Sequence, residues 1–345
     1  MFSTEEIRID SHKLMFHPAR VAQWQAADTW EKAKEVFPIY IEVSPVGACN
    51  HRCTFCAVDY IGYKSVMLEA GRLCDTILDM SSLGVKSVMF AGEGEPLLHK
   101  DIDRINVFAS AYLDTSFTTN GVLLNKLESL DKCTWLRVSL NGGTAKTYAT
   151  IHRTKEKDFE TVWTNIREAV KRKGNCLLGV QTLLLPEVVN EIQTLYDRCD
   201  EAGVDYLTVK PYSQHKSSLT HQYEGARPLP PVVKERNCKF IFREQTYENQ
   251  TPNEKCHATP NFWAYIMASG DVYSCSAYLL NERFRLGNVE NQSFSEIWQG
   301  ARREANWHYV REKLDIHECR VNCRMARVNE YLEELTQGPI GVNFI

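Results

Sequence analysis

No stretch of the 345 residues approaches the run of about 18 apolar residues that a membrane-spanning helix needs, so no bilayer span is expected. The first residues, Met1-Phe2-Ser3-Thr4-Glu5-Glu6-Ile7, have neither the basic start nor the apolar stretch of a secretory signal, which points to the cytoplasm. A basic excess is missing too. Lys and Arg number 40 against 44 Asp and Glu, for a net charge of −4, so a global footprint for a phosphate backbone is absent and nucleic acid is disfavoured as a bulk partner. Internal repeats and low-complexity tracts are also lacking. Cysteine, by contrast, is plentiful at 12 residues. In a signal-less chain that number argues for thiolates at metal rather than for disulfides. Apolar content of 43% and charged content of 24% are ordinary for a globular protein. The length suggests one barrel-sized domain of about 200 residues plus a smaller one.

Three cysteines crowd one loop, Cys49-Asn50-His51-Arg52-Cys53-Thr54-Phe55-Cys56, directly after the apolar run Phe37-Pro38-Ile39-Tyr40-Ile41-Glu42-Val43. Their C-x3-C-x2-C spacing lets three thiolates face one point. Three, where tetrahedral zinc takes four, suggests an iron–sulfur cluster with one iron left open for a reactant.

From Pro38 the chain alternates between apolar strand-like runs that end in Gly, Asn or Pro and stretches of helical period. Strands are predicted near 38–44, 86–91, 115–119, 134–140, 177–184 and 204–210. Between the first two, Leu73, Ile77 and Met80 recur at helical spacing and Gly84 supplies the stop. Six strands separated by helices imply parallel pairing through right-handed crossovers, hence an α/β fold with an incomplete (β/α)6 barrel of the TIM type. The expected divisions are a lead-in over 1–36 with an amphipathic helix at 19–26, the barrel over 37–225, a Pro-marked linker at 226–231, a second unit over 235–335 and a tail over 336–345.

Ligands in such barrels sit at the carboxyl ends of strands. The second strand ends in Gly92-Glu93-Gly94-Glu95-Pro96, where glycine admits a close backbone approach and a carboxylate suits an ammonium group. The third ends in Thr118-Thr119-Asn120-Gly121. The fourth places Ser139 and Asn141 two apart on one side of its end. Gly179 of the fifth offers room for a flat ring against the backbone. Lys210, Tyr212, Gln214 and His215 follow the sixth as candidates for a polar substrate pocket. Cys256 and Cys275 enclose Gly270, and Cys319-Arg320-Val321-Asn322-Cys323 adds two more thiols. Four cysteines suit either zinc or a second iron–sulfur cluster. Cys74, Cys133, Cys176 and Cys199 fall within or beside barrel elements as small core residues, while Cys238 lies near the linker.

The cysteine loop, with Phe55 before its last cysteine, resembles the cluster loop of the radical S-adenosylmethionine (SAM) superfamily. Glu93 to Pro96 aligns with that family's Gly-Gly-Glu-Pro motif, with Glu93 standing where the first glycine is usual. The resemblance implies a [4Fe–4S] cluster on Cys49, Cys53 and Cys56 and reductive cleavage of SAM to a 5′-deoxyadenosyl radical. It further implies SAM contacts from Gly94, Glu95, Pro96, Asn120, Ser139, Asn141 and Arg153. The second cysteine set, with Leu286-Gly287-Asn288 and Ile297-Trp298 between its pairs, is similar to the family's SPASM and twitch extensions. That likeness implies one auxiliary [4Fe–4S] cluster on Cys256, Cys275, Cys319 and Cys323. Cys238, as a hydrogen donor, and Tyr212 are the candidates for a direct part in catalysis.

The implied substrate is small and polar: a sugar, sugar nucleotide, nucleoside or modified nucleobase undergoing oxidation, epimerisation or isomerisation. An electron donor such as flavodoxin or ferredoxin is the implied partner. Peptide maturation is the alternative, set back because maturases of this kind commonly carry an extra amino-terminal domain for which this length has no room. A non-enzymatic metal-binding module is the remote alternative.

Overall fold

The computed structural model describes residues 12–229, 231–243, 254–320, 323–338 and 340–344. In chain order its helices are α1 (Pro18–Gln25), α2 (Trp30–Ala33), α3 (Ala70–Ser82), α4 (Ile102–Ala109), α5 (Ala145–His152), α6 (Glu156–Arg172), α7 (Ile192–Ala202), α8 (Phe294–Trp298), α9 (Ala301–Glu312) and α10 (Ala326–Gln337). Its strands are β1 (Tyr40–Val43), β2 (Ser87–Phe90), β3 (Asp114–Thr119), β4 (Trp135–Ser139), β5 (Leu177–Leu184), β6 (Tyr206–Pro211), β7 (Lys239–Phe242), β8 (Trp263–Ile266), β9 (Asp271–Tyr273) and β10 (Arg285–Asn288). All ten form one sheet in the order β10-β9-β8-β1-β2-β3-β4-β5-β6-β7. Its two edge strands do not pair, so the barrel stays open.

From β8 through β1 to β7 every pairing is parallel, while β8, β9 and β10 pair antiparallel. The six predicted strands coincide with β1 to β6. β7 lies outside the expected barrel limits and extends the same parallel sheet next to β6. The second unit is joined to the first through the sheet itself, because β8 lies alongside β1.

Side-chain alternation gives the sheet two faces. Ile41, Val43, Val88, Phe90, Phe117, Leu136, Val138, Leu178, Val180, Leu207 and Val209 turn to the helices and share one buried core with Leu73, Ile77 and Met80 of α3. That helix starts where the Glu69 carboxylate accepts the Gly71 and Arg72 N–H groups, and it stops before Gly84, whose φ is +83°. The other face carries Tyr40, Glu42, Met89, Ser116, Thr118, Arg137, Ser139, Gln181, Thr208 and Lys210, neighbours or next neighbours in the strand register. A helix-backed sheet with a polar inner row is a scaffold that keeps one side for ligand.

The lead-in packs on the carboxy-terminal elements. Leu14 and Val21 share a cluster with Phe262 and Leu332. Arg303 of α9, fully buried, donates to the carbonyls of Ala33, Val36, Pro260 and Trp298 at 3.0–3.2 Å and lies over the Trp298 ring. Four carbonyl acceptors and an aromatic face replace the water a guanidinium loses on burial.

Candidate active site

The loop from Cys49 to Cys56 leaves the carboxyl end of β1, and α5 holds it from one side. Thr54 donates through its N–H (2.9 Å) and its hydroxyl (3.1 Å) to the Ile151 carbonyl, and Arg52 N–H donates to His152 O at 3.2 Å. Cys49, Cys53 and Cys56 are half-buried free thiols. Burial pushes the Cys49 thiol up to about 11 and Cys53 well above its usual range, and the neighbouring cysteines raise Cys53 further. Three sulfurs of one loop that resist ionisation on their own, and raise one another by their charges, are stabilised as thiolates by a bound cationic centre, which is how these residues fit an iron–sulfur cluster.

The turn after β2 is pressed against the chain entering this loop. A Cβ built on Gly94 would stand 2.3 Å from both the Val46 and Ala48 carbonyl oxygens, so only glycine fits. Glu95 N–H donates to Ala48 O at 2.9 Å. The buried Glu95 carboxylate accepts from Thr119 Oγ1 (2.6 Å), Asn120 N–H (2.7 Å) and Leu97 N–H (3.1 Å), while burial raises its pKa to about 7. Asn120 Nδ2 donates to Asn50 Oδ1 at 2.6 Å, back in the cysteine loop. Glu93 faces away from this junction and accepts the Ala268 N–H at 2.6 Å, clamping the β8–β9 turn. The ends of β1, β2 and β3 are thereby tied together, and Gly94, Glu95, Pro96 and Asn120 meet at one place.

At β4, Asn141 is spent on the protein. Its Oδ1 accepts Leu183 N–H at 2.7 Å, and its own N–H donates to His152 Nε2 at 3.0 Å. His152 is buried and held neutral by desolvation, so a ring whose Nε2 accepts must carry its proton on Nδ1. That Nδ1–H points at Cys53 Sγ, 3.3 Å away. His51, Cys53 and His152 present ligand atoms within 4.8 Å of one another, and both His51 ring nitrogens are buried without a hydrogen-bond partner among the described residues. Neither histidine was expected from sequence; His152 lies 99 positions from Cys53, beyond any local signal. Ser139 is half-buried, and Arg153 is exposed at the left-handed end of α5. Neither side chain makes a hydrogen bond or ion pair among the described residues.

Two expectations fail on geometry. Gly179 does not leave a slot for a flat ligand, because the Tyr206 ring fills it: a Cβ there would lie 2.0 Å from Tyr206 Cζ. Cys238 stands at the amino end of β7, the end opposite the cysteine loop. Its N–H donates to Asp200 Oδ1 and its carbonyl accepts from Tyr196 Oη, so it belongs to the packing of α7. After β6, Tyr212 Oη donates to Gln214 Oε1 at 2.7 Å and Gln214 Nε2 donates to Thr220 O at 2.9 Å, which spends both groups on shaping the loop. His215 is buried and stacked on Tyr60. Lys210 is half-buried on the polar face of the sheet and makes no hydrogen bond or ion pair among the described residues.

The second cysteine set gathers Cys256, Cys275, Cys319 and Cys323. Burial raises the last three, and in each the charges of other members of the set push further upward. All four sulfurs have a hydrogen-bonding neighbour: Asn329 Nδ2 at 3.6 Å from Cys256, the Ala277 backbone at Cys275, Tyr278 Oη at 3.2 Å from Cys319 and Met325 N–H at 3.4 Å from Cys323. Four sulfurs with such partners fit a fully ligated cluster whose potential those donors set.

Comparison with known proteins agrees with these two centres. Residues 43–199 match the model of the radical SAM superfamily, and residues 256–324 match that of the SPASM iron–sulfur cluster-binding domain. A GTP 3',8-cyclase from Chlorobaculum tepidum is 28% identical over 197 residues, covering 55% of this chain and 59% of that protein. One from Campylobacter fetus subsp. fetus is 30% identical over 222 residues, covering 59% and 65%. The matched region thus spans less than two thirds of these relatives. Among solved structures, Streptococcus suis SuiB bound to S-adenosylmethionine aligns with a TM-score of 0.60 at 18% identity, over 87% of this chain and 72% of that one. The anSMEcpe protein with bound AdoMet aligns with a TM-score of 0.57 at 14% identity, over 88% and 96%. The barrel and the second cysteine domain are therefore those of a radical SAM enzyme that uses a [4Fe–4S] cluster with SAM and an auxiliary cluster, and the chain belongs to the radical SAM superfamily with a carboxy-terminal SPASM-type iron–sulfur domain.

Proposed function

We propose that Cys49, Cys53 and Cys56 hold the SAM-binding [4Fe–4S] cluster, that Cys256, Cys275, Cys319 and Cys323 hold one auxiliary cluster, and that the substrate is a small polar molecule of the nucleoside or nucleotide type. When bound, SAM and the reduced cluster supply a 5′-deoxyadenosyl radical that abstracts one substrate hydrogen; the rest is positioning. Gly94, Glu95, Pro96 and Asn120 form the floor beside the loop. Ser139 and Arg153 keep uncommitted polar groups on the β4 side, free to meet SAM. Asn141 acts through His152, which it orients, and His152 Nδ1–H steadies the negative charge on Cys53 sulfur.

One observation carries the substrate class: the cysteine loop opens at the carboxyl ends of strands whose inner face is a polar row containing Arg137, Thr208 and Lys210. Relatives named GTP 3',8-cyclase agree with a nucleotide in that space. They also favour a rearrangement or ring closure following hydrogen abstraction. The peptide alternative has only likeness of fold on its side. A reductant must deliver the electron, and a flavodoxin or ferredoxin suits that role.

Anaerobic reconstitution tests the assignment. The native protein is expected to bind about eight irons per chain and to form 5′-deoxyadenosine from SAM under a strong reductant. The Cys49→Ala/Cys53→Ala/Cys56→Ala variant is expected to keep about four irons and form none. Undiminished cleavage by that variant would remove the assignment.

A further inference from the structure

The polar inner face holds a concentration of positive charge that SAM cleavage alone does not use. Arg137 of β4 lies flat along this face, donating to Gln181 Oε1 (3.1 Å) and Tyr206 Oη (3.4 Å). Lys210 stands on the inner row of β6 two positions beyond Thr208 and makes no hydrogen bond or ion pair among the described residues. Two further cations arrive from the second cysteine segment, each the residue directly after a cysteine. Arg320 donates to Ser213 Oγ (3.2 Å) and Ser213 O (3.3 Å), just past β6, and Arg324 is ion-paired with Glu42 of β1. Arg324 keeps 42% of its side chain accessible although Glu42 beneath it keeps only 6%, so the space it faces is open rather than packed.

Among the described residues no carboxylate is ion-paired with Lys210, Arg137 or Arg320. Glu42 is taken by Arg324. Asp59 accepts from Leu219 N–H and Thr220 Oγ1, and Glu93 accepts from Ala268 N–H. Burial, followed by the charges of Arg320, Arg243, Arg137 and Arg324, brings the Lys210 ammonium down to about 7. Guanidinium forks on the inner face, and an ammonium with no ion pair among the described residues that feels their charge, match the geometry and charge of phosphate or carboxylate oxygens.

We propose that Lys210, Arg137 and Arg320 line an oxyanion subsite that seats a phosphate or carboxylate group of the substrate at the strand ends shared with the cysteine loop. This rests on the reading of the loop as the SAM site and adds the recognition element of the substrate. Because Arg320 follows Cys319, the second cysteine segment also builds the substrate site, a role distinct from electron transfer.

The test is equilibrium binding to the anaerobically reconstituted protein, with its SAM cleavage measured beforehand. GTP against guanosine reads a phosphate source, and N-acetylglycine against N-acetylglycinamide reads a carboxylate source. At least a tenfold preference for one anionic member over its neutral partner is expected. That preference is expected to fall about tenfold or more in Lys210→Met and to be largely kept in Lys210→Arg. Thermal melting separates recognition from folding: Lys210→Met relieves repulsion, so its ligand-free melting temperature should equal or exceed the native value. The preferred anion should raise the melting temperature of the native protein more than that of the variant. A native protein that cleaves SAM yet prefers neither anion overturns the subsite alone. A native protein that prefers an anion yet cannot cleave SAM overturns the reading of the loop and leaves the subsite standing.

Discussion

The two cysteine centres differ in number and in what surrounds them. The first has three sulfurs on one loop, half-buried at strand ends, backed by a turn that only Gly94 permits and touched by His152 at Cys53. The second has four sulfurs drawn from segments as far apart as Cys256 and Cys323, each beside a hydrogen-bonding side chain or backbone group. The contrast teaches a division of labour. A three-thiolate loop leaves a position for a reactant and must sit where the reactant enters, whereas a four-thiolate set closes its cluster and contributes by joining distant chain segments. In this protein the joined segments bring Arg320 and Arg324 over the face where the first centre opens.

The largest break in that comparison comes from the second centre. Cys319→Ala combined with Cys323→Ala is expected to lose about four irons per chain while SAM cleavage persists. It is also expected to lose the tenfold anion preference, because Arg320 and Arg324 are no longer anchored. Iron analysis and binding on one preparation check both. If anion preference survived, the arginines would be held without the cluster.

A middle effect is expected at the turn supporting the first centre. Gly94→Ala forces a methyl group against two backbone carbonyls that have no room to yield. A loss of about 1–3 kcal/mol of stability is expected from such overpacking, with weakened iron retention at the first centre only. Denaturant titration with an iron count reads both.

The smallest effect is a tuning one. Removing the His152 Nδ1–H donor, as in His152→Phe, leaves the Cys53 sulfur more basic and should lower the reduction potential of the first cluster without changing that of the second. A redox titration followed by electron paramagnetic resonance resolves the two. An unchanged potential would mean that His152 only packs.

The first six strands were legible because each is an apolar run with its own stop signal, and the helix over Ala70–Ser82 because Leu73, Ile77 and Met80 keep one phase. β7 to β10 were not, since no helix alternates with them as with β1 to β6, and the pairing of β8 with β1 joins residues more than 200 positions apart. The cysteines were readable as residue types at fixed spacing. What they touch was not: His152 and Asn141 act on Cys53 through tertiary contacts alone. Gly179 shows the converse error, since a glycine that seemed to make room for a ligand instead makes room for Tyr206. Cys238 was placed by its distance along the chain, whereas the direction of β7 puts it at the far end of the sheet. Arg320 and Arg324 did carry a sequence signal, one cation after each cysteine of the last pair.

The division between the centres is tested most directly by electron paramagnetic resonance of the reduced protein with and without SAM, in two variants. One variant lacks Cys49, Cys53 and Cys56, and the other lacks Cys256, Cys275, Cys319 and Cys323. SAM is expected to shift the signal of the variant that keeps the three-cysteine loop and to leave the other unchanged. A shift confined to the four-cysteine centre would contradict the account.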